Sequence, residues 1–122
     1  MAKEITELNN EEEKNYSSVV VRDKRGNKYT LEFSRKVVEA MERRGFKVDL
    51  DFPNSNIKDL WRGAFQKNHR GMMNEKMDEI WDFQRGKDEL LGILLKLYMK
   101  PLETLMAEPE AGDDENPTWE AN

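Results

Sequence analysis

Residues 18–46, "SVVVRDKRGNKYTLEFSRKVVEAMERRGF", contain the change of period that decides the fold. "SVVVRD" and "KYTLEF" are rich in β-branched and aromatic residues, and "KRGN" between them supplies a Gly-Asn turn, so the stretch predicts a β-hairpin with Tyr29, Leu31 and Phe33 on one face. Ser34 then reads as an N-cap, with Phe33 and Val38 at the positions of a hydrophobic staple across it. The helix so begun spans about 35–44, buries Val37, Val38 and Met41, and ends at Gly45, with Phe46 folding back on Met41. Two strands alone are marginal in water, so this hairpin needs helices to pack on, a third strand, or another chain.

A candidate third strand follows at once. In "FKVDLDF" Phe46, Val48, Leu50 and Phe52 alternate with Lys47, Asp49 and Asp51 until Pro53, which predicts a strand returning to the hairpin edge, with an irregular connection as the competing reading. From Ile57 the period becomes helical: Ile57, Leu60, Trp61, Ala64 and Phe65 share one face, "NSN" at 54–56 offers caps, and Gly71 closes the helix. A second helix over about 74–84 carries Met73, Met77, Ile80 and Trp81. The next, from Lys87 or Asp88, bears the stripe Leu90, Leu94, Leu97 and Tyr98, widened by Leu91, Ile93 and Leu95, and is expected to be the central helix. Pro101 is expected to start a separate short helix, "PLETLMA". The reading is α+β: a short antiparallel sheet, the hairpin plus the candidate third strand, packed with a mainly helical C-terminal half.

The polarity of the chain, with 37% charged residues and a mean hydropathy of -0.94, is concentrated at its ends. Residues 1–14 carry a net charge of -3 and residues 108–122 a net charge of -6; with -5 for all 122 residues, 15–107 are left at +4. One domain over 16–107 between flexible acidic segments, 1–15 and 108–122, is the expected organisation. The sequence has no cysteine, hence no disulfide or thiolate metal site, which agrees with a reducing, cytoplasmic setting. No basic region followed by an apolar run opens the chain, and "LLGILLKLYM" is far shorter than the ~20 residues that span a bilayer, so no membrane association is expected.

Chemistry is scarce. His69, the single histidine, falls in the last turn of its expected helix beside Lys67 and Arg70, where positive charge suits the helix dipole, and it reads as incidental. With no second histidine and no cysteine, only carboxylates remain as metal ligands, and the histidine has no thiol nucleophile to serve, so neither a catalytic residue, a metal nor a cofactor is expected. The glycines at 26, 45, 63, 71, 86, 92 and 112 are scattered and make no phosphate loop. Arg43, Arg44, Arg62, Lys67, His69 and Arg70, with Arg35, Lys36 and Lys58, could line a basic face for nucleic acid, although the acidic ends oppose it. Apolar residues on 57–65, around Trp81 and on 90–98 exceed what one small bundle hides, which suggests a groove for a partner or an oligomer interface.

Three runs, "FSRKVVEAMERRGF", "LWRGAFQKNHRGM" and "EIWDFQRGKDELLGILLKLYMKPLETLM", together resemble the tail assembly chaperones of phages and prophages of Gram-positive bacteria over about 30–108. The resemblance implies a non-enzymatic protein that binds the long helical tape-measure protein, keeps it soluble and helps recruit tail-tube subunits. Trp61, Phe65, His69, Trp81, Leu94, Tyr98 and Leu105 match that family's pattern. Joined to the apolar faces, they give the expected partner-binding set: Trp61, Phe65, Met73, Met77, Trp81, Leu94, Tyr98 and Leu105. A small basic-faced nucleic-acid-binding or regulatory protein and a minor structural component of the virion are the alternatives.

Overall fold

The turn of the hairpin shows how local chemistry sets the fold. In the computed structural model, which describes residues 17–49, 51–110 and 116–121, β1 (Val19–Arg22) pairs antiparallel with β2 (Lys28–Leu31) in the register Val19↔Leu31 to Arg22↔Lys28. The expectations for residues 1–16, for Leu50, and for 111–115 and 122 lie outside the described residues. Gly26 adopts φ 84°, its N–H donates to the Asp23 carbonyl at 3.1 Å, and the Asp23 N–H donates to Asn27 at 3.0 Å. This is a turn closed by a left-handed residue that glycine occupies without steric cost. Val21, Leu31 and Phe33 are buried and Tyr29 half-buried on the inner face, while Val20, Arg22, Lys28 and Thr30 face outward.

α1 (Arg35–Arg43) starts and stops as expected. The Ser34 hydroxyl accepts from the Val37 N–H, and at the far end Phe46 N–H donates to Met41 and Gly45 N–H to Glu42, the paired bonds of a Schellman cap with Gly45 at φ 94°. Among the described residues no third strand forms. Both outward-pointing backbone groups of Thr30 are already taken, its N–H by His69 Nε2 at 3.2 Å and its carbonyl by the Asn68 amide at 3.1 Å, so the middle of β2 offers no free edge. Residues 46–49 are instead hooked by Asn56, whose Oδ1 accepts from the Asp49 N–H and whose Nδ2 donates to the Lys47 carbonyl. Of the alternating set, Phe46 turns inward, but Val48 and Phe52 are exposed.

α2 (Pro53–Ala64) begins four residues before Ile57, because Pro53 takes the first helical position rather than ending a strand. It ends at Ala64, well short of Gly71: Phe65 and Gln66 N–H groups bond three residues back, and the chain tightens into turns through His69 to Gly71 at φ 93°. That early exit carries Asn68 and His69 back onto β2. α3 (Asn74–Phe83) forms as expected. α4 (Lys87–Met106) runs unbroken through Pro101, so no separate short helix exists. An interior proline costs about 3 kcal/mol through the donor it lacks and its clash with the preceding turn. Here the buried stripe Leu90, Leu94, Leu97, Tyr98 and Pro101 stays in phase across it, and the packing of that stripe offsets the cost.

The hub is α2 rather than α4, since α2 packs on α1, α3 and α4. Its residues Leu60, Trp61 and Ala64, with Phe65 just beyond, are at most 2% exposed. Gly63 permits the crossing with α1: a Cβ there would lie 2.5 Å from Met41 Sδ and 3.3 Å from Phe33 Cε1. Among the described residues no helix is long and apolar enough to cross a membrane.

Candidate functional site

Most of the residues expected to bind a partner are instead the core. Trp61, Phe65, Met77 and Leu94 are at most 1% exposed and Tyr98 is buried. Trp61 Nε1–H donates to the Met77 carbonyl at 2.6 Å, and its ring lies 5.0 Å from Phe65 and 4.9 Å from Trp81. The apolar faces of α2 and α3 therefore cover one another. Trp81 is half-buried, with Lys87 Nζ 5.8 Å from its ring centre, and Met73 and Leu105 alone of the set are exposed, on separate elements.

Of the ten large apolar residues exposed among the described residues, four lie together on the distal part of α4. Met99, Leu102, Leu105 and Met106 are exposed, and with Val38 of α1, Tyr98 and Pro101 most of them border a shallow depression of about 130 Å³. Arg35, Glu39 and Glu42 form its rim on α1. The expected partner-binding set includes Leu105 but not Met99, Leu102 or Met106. Their signal was there: 99, 102 and 106 recur at helical spacing once Pro101 is read as continuing the helix. Two larger depressions are more polar, about 440 Å³ between the end of α1 and α2 beside Arg44 and Arg62, and about 620 Å³ between α2 and α3 beside Lys58, Asp78 and Trp81.

The expected basic face is not one free surface. Arg62 grips Asp78 in a two-pronged bond, Nε to Oδ1 at 3.1 Å and a terminal nitrogen to Oδ2 at 2.6 Å, joining α2 to α3. That bond, against the opposing effect of burial, holds the Asp78 carboxyl below its ordinary range and raises Arg62. Lys67 pairs with Glu32 at 3.0 Å, and the Asn68 amide, together with Lys67, lowers the Glu32 carboxyl despite partial burial. Arg43 lies 3.8 Å from Glu39 along α1, and Arg44 and Arg70 are exposed. His69 is committed to β2: besides the bond from Thr30, its ring stands 5.3 Å from Tyr29 and 6.0 Å from Phe65. Among the described residues no three His, Cys, Asp or Glu side chains are grouped so as to hold a metal.

Asp23 is the polar centre that sequence reasoning missed. Only 4% exposed, its carboxylate accepts from the backbone N–H groups of Arg25 and Asn27, the Asn27 amide and the Tyr29 hydroxyl, with Lys76 Nζ at 3.5 Å. Burial works to raise its pKa, but these bonds outweigh burial and hold the carboxyl well below the usual range. The signal was an aspartate directly before a turn sequence, the residue type that bonds backbone amides two residues on.

A family model described as "Domain of unknown function (DUF5055)" matches residues 1–122. No curated protein and no solved structure matches the chain. The chain, matched throughout, belongs to the DUF5055 family.

Proposed function

We propose that the protein is a non-enzymatic tail assembly chaperone of a phage or prophage, which holds apolar helical segments of the tape-measure protein in solution and helps recruit tail-tube subunits, acting in the cytoplasm of the host cell. The observation that supports this reading best is the exposed strip Met99, Leu102, Leu105 and Met106 beside the depression between α1 and α4. Residues spaced three and four apart make a continuous ridge, and the groove at its side suits an amphipathic helix laid across it. Two of the four are methionines, whose flexible thioethers adapt to varied apolar segments of a long helical chain. The charged rim of Arg35, Glu39 and Glu42 keeps the free protein soluble and offers polar contacts around an apolar centre.

The test is co-expression with a phage tape-measure protein, comparing the native chain with the double variant Leu102→Glu/Leu105→Glu. The native chain is expected to keep that protein in the soluble fraction and to co-purify with it, while the variant folds but loses both. Solubilisation that survives the double substitution would overturn the reading. Recovery of nucleic acid instead, released by salt, would favour a basic-faced binding protein, and recovery of the chain in purified particles a structural component.

A further inference from the structure

We propose that the outer edge of β1, with the cationic turn beside it, is a docking site for the acidic C-terminal segment, residues 108–122, of a second copy of this chain.

The edge is open by register. The Thr30 N–H and C=O point away from β1, towards His69 and Asn68, so the backbone groups of Val20, its partner across the ladder, point away from β2. They have no partner among the described residues, whereas the next outward carbonyl, that of Arg22, is capped by the Gln84 amide at 2.7 Å. Val20 is also 53% exposed. Beside this edge Arg22, Lys24, Arg25 and Lys28 are exposed and make no ion pair among the described residues. The five polar contacts on Asp23 fix the loop that carries them, so a ligand meets this cationic turn already ordered.

Charge selects the occupant. A second β1 laid on this edge would bring the two sets of Arg22 and Lys28 side chains together, a like-charge arrangement that opposes pairing. Residues 108–122 carry six acids and no base, and Pro109 and Pro117 bias the residues before them, Glu108 and Asn116, to extended backbone, the form that adds to a sheet edge. Geometry selects the second copy. Lys87, the first residue of α4, bonds the Gln84 carbonyl while Gln84 bonds Arg22, so α4 starts beside the turn. Its 20 residues carry the chain about 30 Å away. Asp113–Glu115, three of the six acids, lie seven to nine residues past Met106, a reach of at most about 30 Å at full stretch, so these three barely span the distance to the chain's own turn, while a neighbour's turn carries no such restriction. The contact is head-to-tail.

The experiment uses the full chain, its average mass followed by analytical ultracentrifugation against concentration at low and high salt. Association above the 14.4 kDa monomer at low salt, lost at high salt, is expected. Lys24→Glu/Arg25→Glu/Lys28→Glu, all exposed positions, should weaken association at least about tenfold without moving the thermal midpoint, as should Asp113→Lys/Asp114→Lys/Glu115→Lys. Mixing the two variants should restore association between them. A monomer at every concentration overturns the proposal, as does a failure of the mixed variants to associate. So does an association that depends on Glu11–Glu13 rather than on the C-terminal acids, or a turn that binds duplex DNA and no second copy.

Discussion

His69→Ala separates an incidental helix-end histidine from one that closes a sheet edge. The side chain accepts one hydrogen bond, from the Thr30 N–H at 3.2 Å, and makes edge-on ring contacts with Tyr29 at 5.3 Å and Phe65 at 6.0 Å. A neutral hydrogen bond contributes roughly 1 kcal/mol net, reduced here because water reaches Thr30 once the ring is gone. Each ring contact adds about 0.5 kcal/mol, the low end of the range for a half-exposed imidazole. The sum is a loss of about 1–2 kcal/mol. Urea unfolding followed by circular dichroism measures it, and hydrogen exchange at the Thr30 amide locates it. Protection of Thr30 should fall towards that of a free edge while amides in α3 and α4 change only by the global loss. A change within about 0.3 kcal/mol, with Thr30 protection intact, would refute the reasoning and return His69 to the surface role its sequence context suggests.

Leu94→Ala, at a position with no exposure, should cost about 2–5 kcal/mol in urea unfolding, whereas Leu102→Glu/Leu105→Glu should stay within about 0.5 kcal/mol of the native chain; the contrast measures which apolar residues of α4 are core. Stability should also fall in acid. The Asp23, Glu32 and Asp78 carboxyls are all held below their ordinary values, so the unfolded chain binds protons first as pH drops. Their contribution is complete above roughly pH 5 and is lost progressively below it, which a series of thermal midpoints between roughly pH 3 and 7 will record. Asp23→Asn should flatten that series. Pro101→Ala returns a donor to the Leu97 carbonyl at the loss of a small buried ring, and a net gain of about 1 kcal/mol with added helical signal is expected if α4 is continuous.

The parts of the fold legible in the sequence are those whose cause is local. Ser34, Gly45 and Gly26 each satisfy or turn backbone groups within a few residues, so the hairpin and α1 could be read residue by residue. "FKVDLDF" failed because alternation describes a strand only if an edge exists to receive it. The edge had been taken by Asn68 and His69, over thirty residues away in sequence from Thr30. Pro101 failed for a related reason: its local penalty was legible, but the continuing buried stripe that outweighs it needs α1 and α2 in place. The candidate site suffered most. Aromatic and methionine residues at helical spacing mark apolar faces without saying whether the fold covers them, and Trp61, Phe65 and Met77 were covered by one another's elements.

The apolar strip and the cationic turn lie at opposite ends of α4, and that placement lets the turn be altered without touching the strip. The helix starts where Lys87 and Gln84 meet Arg22 and ends at Leu105 and Met106, about 30 Å on, beyond the screening length of physiological salt. Charge reversal at the turn therefore should not alter the electrostatics of the apolar strip. Substitutions this far apart with no shared contacts act additively. If the turn variant loses self-association yet still solubilises the helical partner, capture is a property of one chain. If it loses both, capture needs several chains aligned head-to-tail, their strips repeated along the proposed long helical partner, and the gain comes from linking weak sites rather than from any one of them.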